Sequence, residues 1–482
     1  MTGMRLLWTL ERARLTSDRG RAWLDTLAIF GFAVATAILL LLAGAASLFH
    51  SRAQAPKEPI TTGLQRLAEA SSSSDPQVLD AFLLSYQVIT GFAFFITVLP
   101  ALSLGASAAA VAARSRSQIL RHLRLLGLGR FHAQLIILVV VLVQMLLGLG
   151  AGTLLYFTSF YLWQMLEFQG SLVSGAEVMI GWSSWLNTAL LLVTVTIFAT
   201  LSSFSSARLS RRRLEAQRWF RLFSPAAIAV GVGAIALATL VGFATSAGAF
   251  TWDLTILVAA VVLVVGFLAP AALYLVGTIL ARRSRVNLLL AGGWLQANAR
   301  SAALAVAPAS LIMFLALTLG ARPHDLIAVI AEGDGSVITP AVVPDFLADL
   351  LQRDTVIGLL LVCVGVVVVS VVSASLEQAT VIINRGPQSE TLLMMGLEPR
   401  ALTQARLCQI LLPQLLGFLV AIAMAAVMVL PQQPLTALPW EVAFLLAAVF
   451  ATTVVVTVVA NHWLAPLQTR VVGPDLEQAA TF

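Results

Sequence analysis

Ten apolar runs, each long enough to cross the hydrocarbon core of a bilayer, limit what this chain can fold into more than any other feature. They cover residues 26–49, 81–113, 133–161, 178–205, 225–246, 254–281, 302–321, 355–383, 401–430 and 442–464. A helix rises about 1.5 Å per residue, so about 20 apolar residues are needed to span roughly 30 Å of hydrocarbon. Inside these runs every side is apolar, so helical periodicity carries no signal and length with flanking charge decides the assignment. Over 482 residues, 59% are hydrophobic and 11% charged. A soluble domain carries about a quarter charged residues. The expected fold class is therefore an all-α polytopic membrane protein with about ten transmembrane helices. The first run is too long for a signal peptide, and no small-residue cleavage site follows it.

Charge then sets the expected orientation. Ten spans put both termini on one side, and 24 of the 29 Lys and Arg fall on that side. Positive residues stay cytoplasmic, so both termini are expected in the cytoplasm of a protein of the cell (plasma) membrane. The net charge of +6 thus reads as topology and as attraction to anionic lipid headgroups, not as a nucleic-acid surface.

Catalysis by the chain itself is not expected. Its single lysine, Lys57, precedes Glu58, whereas a phosphate-binding loop needs lysine followed by Ser or Thr. The histidines His50, His122, His132, His324 and His462 are scattered, with no second ligand one helical turn away. No Gly-x-Ser-x-Gly nucleophile motif is present. Catalytic, cofactor-binding and metal-binding residues are therefore all expected to be absent, and ATP and Mg could act only through a partner. Carboxylates within the spans are few. Glu377 is the most interior, while Asp80, Asp253, Asp354 and Glu441 are expected at span ends within reach of water, which argues against an ion-coupled transporter. Gln144, Gln409 and Gln414 are expected to bond between helices, and Cys363 and Cys408 to be buried thiols.

An internal repeat appears at an offset of 269 residues. Arg116, Leu123, Gly127 and Leu128 align without gaps on Arg385, Leu392, Gly396 and Leu397, each set in the link between two long spans. Arginine-rich loops ending in glycine also arise from the positive-inside rule alone. The first segment, however, carries Leu120, Leu123 and Leu126 at helical spacing, with Arg116, Arg121 and Arg124 on the opposite side. That pattern predicts a short helix lying on the cytoplasmic surface, its arginines in water, ended by Gly127. In the second copy Pro387 suits a first helical turn, Glu390 the positive end of a helix, and Gly396 its C-cap.

These residues resemble the FtsX-like, MacB-type permeases of ABC transporters (type VII ABC superfamily). Trp294-Leu-Gln-Ala-Asn-Ala-Arg300 is similar to the family's entry before a span, and Leu392-Leu-Met-Met-Gly396-Leu-Glu-Pro-Arg400 to its cytoplasmic coupling segment. Two departures stand out. Ile119 and Gln388 occupy the position where the family often has an acidic residue, and the outer loops 50–80 and 322–354 are short where the family often has a large domain.

The resemblance implies two four-helix FtsX-like repeats, residues 1–205 and 286–482, joined by a linker helix pair at 206–285. It implies a permease subunit that couples ATP hydrolysis by two copies of a separate ABC ATPase to the export or extraction of a lipid, peptide or antibiotic. The coupling residues would be Arg116, Leu120, Leu123, Gly127, Leu128, Arg385, Glu390, Leu392, Gly396 and Leu397. An additional extracytoplasmic partner is left open. The alternative is an ATP-independent polytopic scaffold or lipid-handling protein.

Overall fold

The computed structural model describes residues 19–54, 76–116, 125, 129–209, 269–283, 285–297, 299, 302–303, 345–429, 447–448 and 450–459. The expected spans at 225–246 and most of 302–321 lie outside them. Described residues form α1 (Arg19–Gln54), α2 (Pro76–Arg114), α3 (Arg130–Thr158), the short α4 (Phe160–Trp163), strands β1 (Glu167–Phe168) and β2 (Ser171–Leu172), the short α5 (Gly175–Val178), α6 (Trp182–Leu209), α7 (Ala269–Ala281), α8 (Asp345–Met394) and α9 (Pro399–Val429). Residues 286–297 and Phe450–Val459 are helical as well. The described residues are mostly helical, and among them five helical stretches are long and apolar enough to cross a membrane: Trp23–Arg52, Gln134–Trp163, Trp182–Leu201, Asp349–Leu376 and Ala401–Ala423.

The main core forms around α1. Ala28, Phe32, Ala35 and Leu39 recur at helical spacing on α1 and are buried against Ala101, Leu104 and Ala108 of α2 and Ile137, Val141 and Met145 of α3. Val369, Val372 and Leu376 of α8 complete the same cluster, so a helix from the far end of the sequence belongs to the first bundle's core. Small residues set how closely the helices approach. A side chain at Gly148 would collide with Phe32, and one at Gly152 would lie 2.5 Å from the Ala33 carbonyl oxygen. The four-residue spacing of these glycines opens one face of α3 to the backbone of α1. Gly31 does the same for α8, where a Cβ would lie 3.0 Å from Leu376 and 3.1 Å from Ala108.

A second cluster gathers Leu273, Leu295, Ala299, Ala302 and Ala303, with α7 folded back against 286–297 through Gly277 and Gly292. Here α7 meets α9. Two of the expected interhelical bonds are present: Gln414 donates to Thr457 at 3.0 Å, and Gln144 accepts from Arg116 at 3.4 Å.

One expectation about the elements is corrected. The second-copy segment is not a separate surface helix, because α8 runs unbroken for 50 residues from Asp345 to Met394. At about 1.5 Å per residue it is about 75 Å long, more than twice the hydrocarbon thickness. Pro387 lies inside this helix, and Glu390 lies near its C-terminal end.

Candidate functional site

The described members of the expected coupling set fall at one end of the helices, and the structure treats the two aligned segments differently. In the first copy α2 stops at Arg114 and a turn follows, with Ser115 N–H donating to Val111 O and Arg116 N–H to Ala113 O. The turn swings the Arg116 side chain inward, where it is 2% exposed. Its Nη2 pairs with Asp25 of α1 at 3.1 Å, and its Nη1 donates to Ala112 O at 2.9 Å and to the Gln144 amide oxygen of α3. The expected position in water is therefore corrected. A buried guanidinium is costly unless its charge and donors are matched; Asp25 supplies the opposite charge, and the Ala112 carbonyl and Gln144 amide oxygen accept from Nη1, from three helices in all. Leu120, Leu123, Gly127 and Leu128 lie outside the described residues.

In the second copy Arg385, Glu390, Leu392, Gly396 and Leu397 form the end of α8 and the turn into α9; the side chains of Arg385, Glu390 and Glu377 are outside the description. Gly396 has φ +87, a left-handed conformation that costs glycine nothing, and Leu397 N–H reaches back to Leu392 O at 3.1 Å. That bond is the six-to-one closure of a glycine-terminated helix, so Gly396 is a C-cap as its sequence context indicated. Pro399 then opens α9, where its missing N–H is no loss. The turn displays Met394 and Met395, both largely exposed.

A polar constellation at the opposite end escapes the sequence reading. Between α3 and α6 the chain makes a cap from α4, a two-stranded hairpin and α5. Glu167 pairs with Leu172 and Phe168 with Ser171, leaving Gln169 and Gly170 as a two-residue turn with φ +54 and +73. Positive φ at both positions is what a tight hairpin turn requires, and only Gly170 takes it freely. Arg52, at the end of α1, donates through Nη1 to Phe168 O at 2.6 Å and through Nη2 to Leu172 O at 3.3 Å. The same guanidinium forms a two-point pair with Glu177, at 3.2 Å from Nε and 3.0 Å from Nη2. Ser174 and Glu177 cap α5 reciprocally. Burial opposes ionisation of Glu177, but hydrogen bonds from Arg52 and Ser174 outweigh it and hold the carboxyl below its ordinary range.

The far helix reaches the same cap. Asp354 of α8 accepts from the Tyr86 hydroxyl of α2 and from Gln169 N–H, both at 2.7 Å. Asp354 was expected in reach of water; it is 3% exposed, because α2, α8 and the hairpin turn close over it. Arg353 adds an exposed pair with Glu167 at 3.1 Å. With Tyr86 against Asp354 at this end, and Ala108 and Leu376 both against Gly31 at the other, α2 and α8 run parallel. The sequence did hold partial signals for the cap: Gln169-Gly170 as a turn and Ser174-x-x-Glu177 as a capping box.

No family model, curated protein or solved structure matches the chain.

Proposed function

We propose that the chain is the membrane-spanning subunit of an ABC-type machine, resembling FtsX-like permeases, in which a separate ATPase dimer docks under the α8–α9 turn. One observation carries the reading. Helix α8 is continuous from the Gly396 turn to Asp354, so a push on Met394 and Met395 is delivered by one rigid element to the hairpin cap. The cargo fitting so apolar an interior is a lipid, hydrophobic peptide or antibiotic.

Three further observations support it. Arginines cluster at the Gly396 end of the described helices, at Arg19, Arg21, Arg114, Arg116, Arg130 and Arg400, which supports a cytoplasmic placement of that end under the positive-inside rule. Helix α9 begins 269 residues after α3, the offset of the sequence repeat, which favours two parallel copies within about ten spans. A parallel pair of α2 and α8 at the centre suits a duplicated chain, each copy presenting one site to one of two ATPase subunits.

The test is whether a soluble ABC-type ATPase co-purifies with this chain, followed by native mass spectrometry. The expected complex has two ATPase subunits per chain, and Leu392→Ala with Gly396→Ala lowers its stimulated hydrolysis at least about tenfold, an uncoupling of about 1.4 kcal/mol. A stable chain with no associated ATPase would leave the ATP-independent scaffold or lipid-handling reading in its place.

A further inference from the structure

The cap between α3 and α6 has its polarity reversed with respect to a loop in water. Its hydrogen-bonding groups point inward: the carbonyls of Phe168 and Leu172, the Gln169 N–H and the Glu177 carboxylate meet Arg52 and Asp354. Glu167 and Glu177 are its charged side chains, and both are in ion pairs. What it turns outward is mostly apolar, beside Gln164, Ser174 and the exposed Glu167–Arg353 pair. Tyr161, Leu162, Met165, Leu172, Met179 and Trp182 are each between 61% and 77% exposed.

Single exposed apolar residues are ordinary on any protein, but six within one short segment form a patch that water does not favour. The patch is also continuous with a surface whose surroundings are already implied. Below it, Leu147 and Leu154 on α3 and Leu186 and Leu190 on α6 are exposed along two stretches long and apolar enough to cross a membrane. Trp and Tyr are the residues that settle at a membrane–water boundary, and flexible Met side chains fit disordered acyl chains. Trp182 stacks on Trp185 at the point where α6 begins.

We propose that this cap is seated in the interfacial layer of the leaflet at the hairpin end, with those six side chains against lipid acyl chains, the Arg52 and Asp354 contacts behind them and the Glu167–Arg353 pair toward the headgroups and water. Because Asp354 holds the hairpin turn, any shift of α8 along its axis is then applied to that leaflet. The proposal rests on the membrane-spanning reading of the long helices and on nothing concerning ATP.

The test uses the full chain in phosphatidylcholine nanodiscs, with Cys363→Ala and Cys408→Ala as background and a fluorophore on Met165→Cys, Leu172→Cys or, as a reference within a span, Leu147→Cys. A phosphatidylcholine carrying a nitroxide near the top of its acyl chain should quench the two cap labels at least about twofold, while aqueous iodide leaves them nearly untouched. Quenching by iodide alone at both cap positions, with Leu147→Cys still quenched by lipid, would place the cap in water and overturn the proposal. Protection from both quenchers would overturn it in favour of a covering protein partner or second copy. Loss of lipid quenching at Leu147→Cys as well would overturn the spanning reading on which it rests. The two cap positions are independent, so failure of one variant to fold leaves the other to decide.

Discussion

Arg52 and Arg116 hold similar guanidinium groups at opposite ends of the helices, and neither is a surface charge. Each is almost fully buried, bonded to at least one backbone carbonyl and paired with a carboxylate, Glu177 for one and Asp25 for the other. Removing the carboxylate leaves a buried guanidinium unmatched, at about 3–5 kcal/mol; removing Arg52 instead leaves the Phe168 and Leu172 carbonyls without their donor and Glu177 without its counter-charge. Arg52→Ala is therefore expected to lower the thermal midpoint of the purified chain strongly and to make the cap's amides exchange faster. An unchanged midpoint with unchanged exchange at 167–172 would contradict the role given to Arg52. Glu177 adds a pH dependence of definite sign. Its carboxyl is lowered from the ordinary 4.5, so its stabilising contribution is complete above that value and disappears as pH falls through the lower folded-state value. In thermal unfolding followed from about pH 6 down to about pH 3, Glu177→Gln should flatten the acid limb of the stability curve relative to the parent chain. These roles were poorly legible in the sequence. A lone arginine at a span end serves equally well as a topology marker, and only the hairpin, which brings residues more than a hundred positions away against Arg52, distinguishes the two.

Among the described elements, the apolar runs at 26–49, 81–113, 355–383 and 401–429 lie within helices, because run length alone is decisive in a bilayer. Run length does not set their ends. Gly386-Pro387 reads as punctuation, yet α8 passes through it, since a proline removes one intrahelical bond and leaves the rest of the ladder intact. Gly396 is the true terminator, and its left-handed φ explains why glycine stands there. The α1–α3 crossing depends on a feature visible only after folding: Gly148 and Gly152 sit where Phe32, Ala33 and Thr36 press against α3. Gly148→Leu or Gly152→Leu should force these helices apart and cost several kcal/mol, about the range of severe overpacking, whereas Gly150→Ala, with open space around its position, should cost little. Comparable losses at Gly150 and Gly152 in detergent unfolding assays would remove the close crossing from the account.

For the molecule as a whole, the sequence indicated a membrane-type chain and pointed to the 392–400 segment, but it placed the weight of function at one end only. The structure adds the other end and the rod between them. Helix α8 shares the core of α1, α2 and α3, carries the exposed Met394–Met395 turn at one terminus and holds the hairpin through Asp354 near the other. A duplication read as two successive halves could not reveal this, because the contact that matters joins α2 to α8 across the repeat boundary. The central claim is that the α8–α9 turn receives a partner ATPase, and the most direct measurement is ATP hydrolysis by the nanodisc complex with Met394→Asp and Met395→Asp. Both side chains are exposed, so the fold and thermal midpoint of the chain should persist while stimulated hydrolysis falls about tenfold or more. Undiminished stimulation in a complex that assembles normally would contradict the claim.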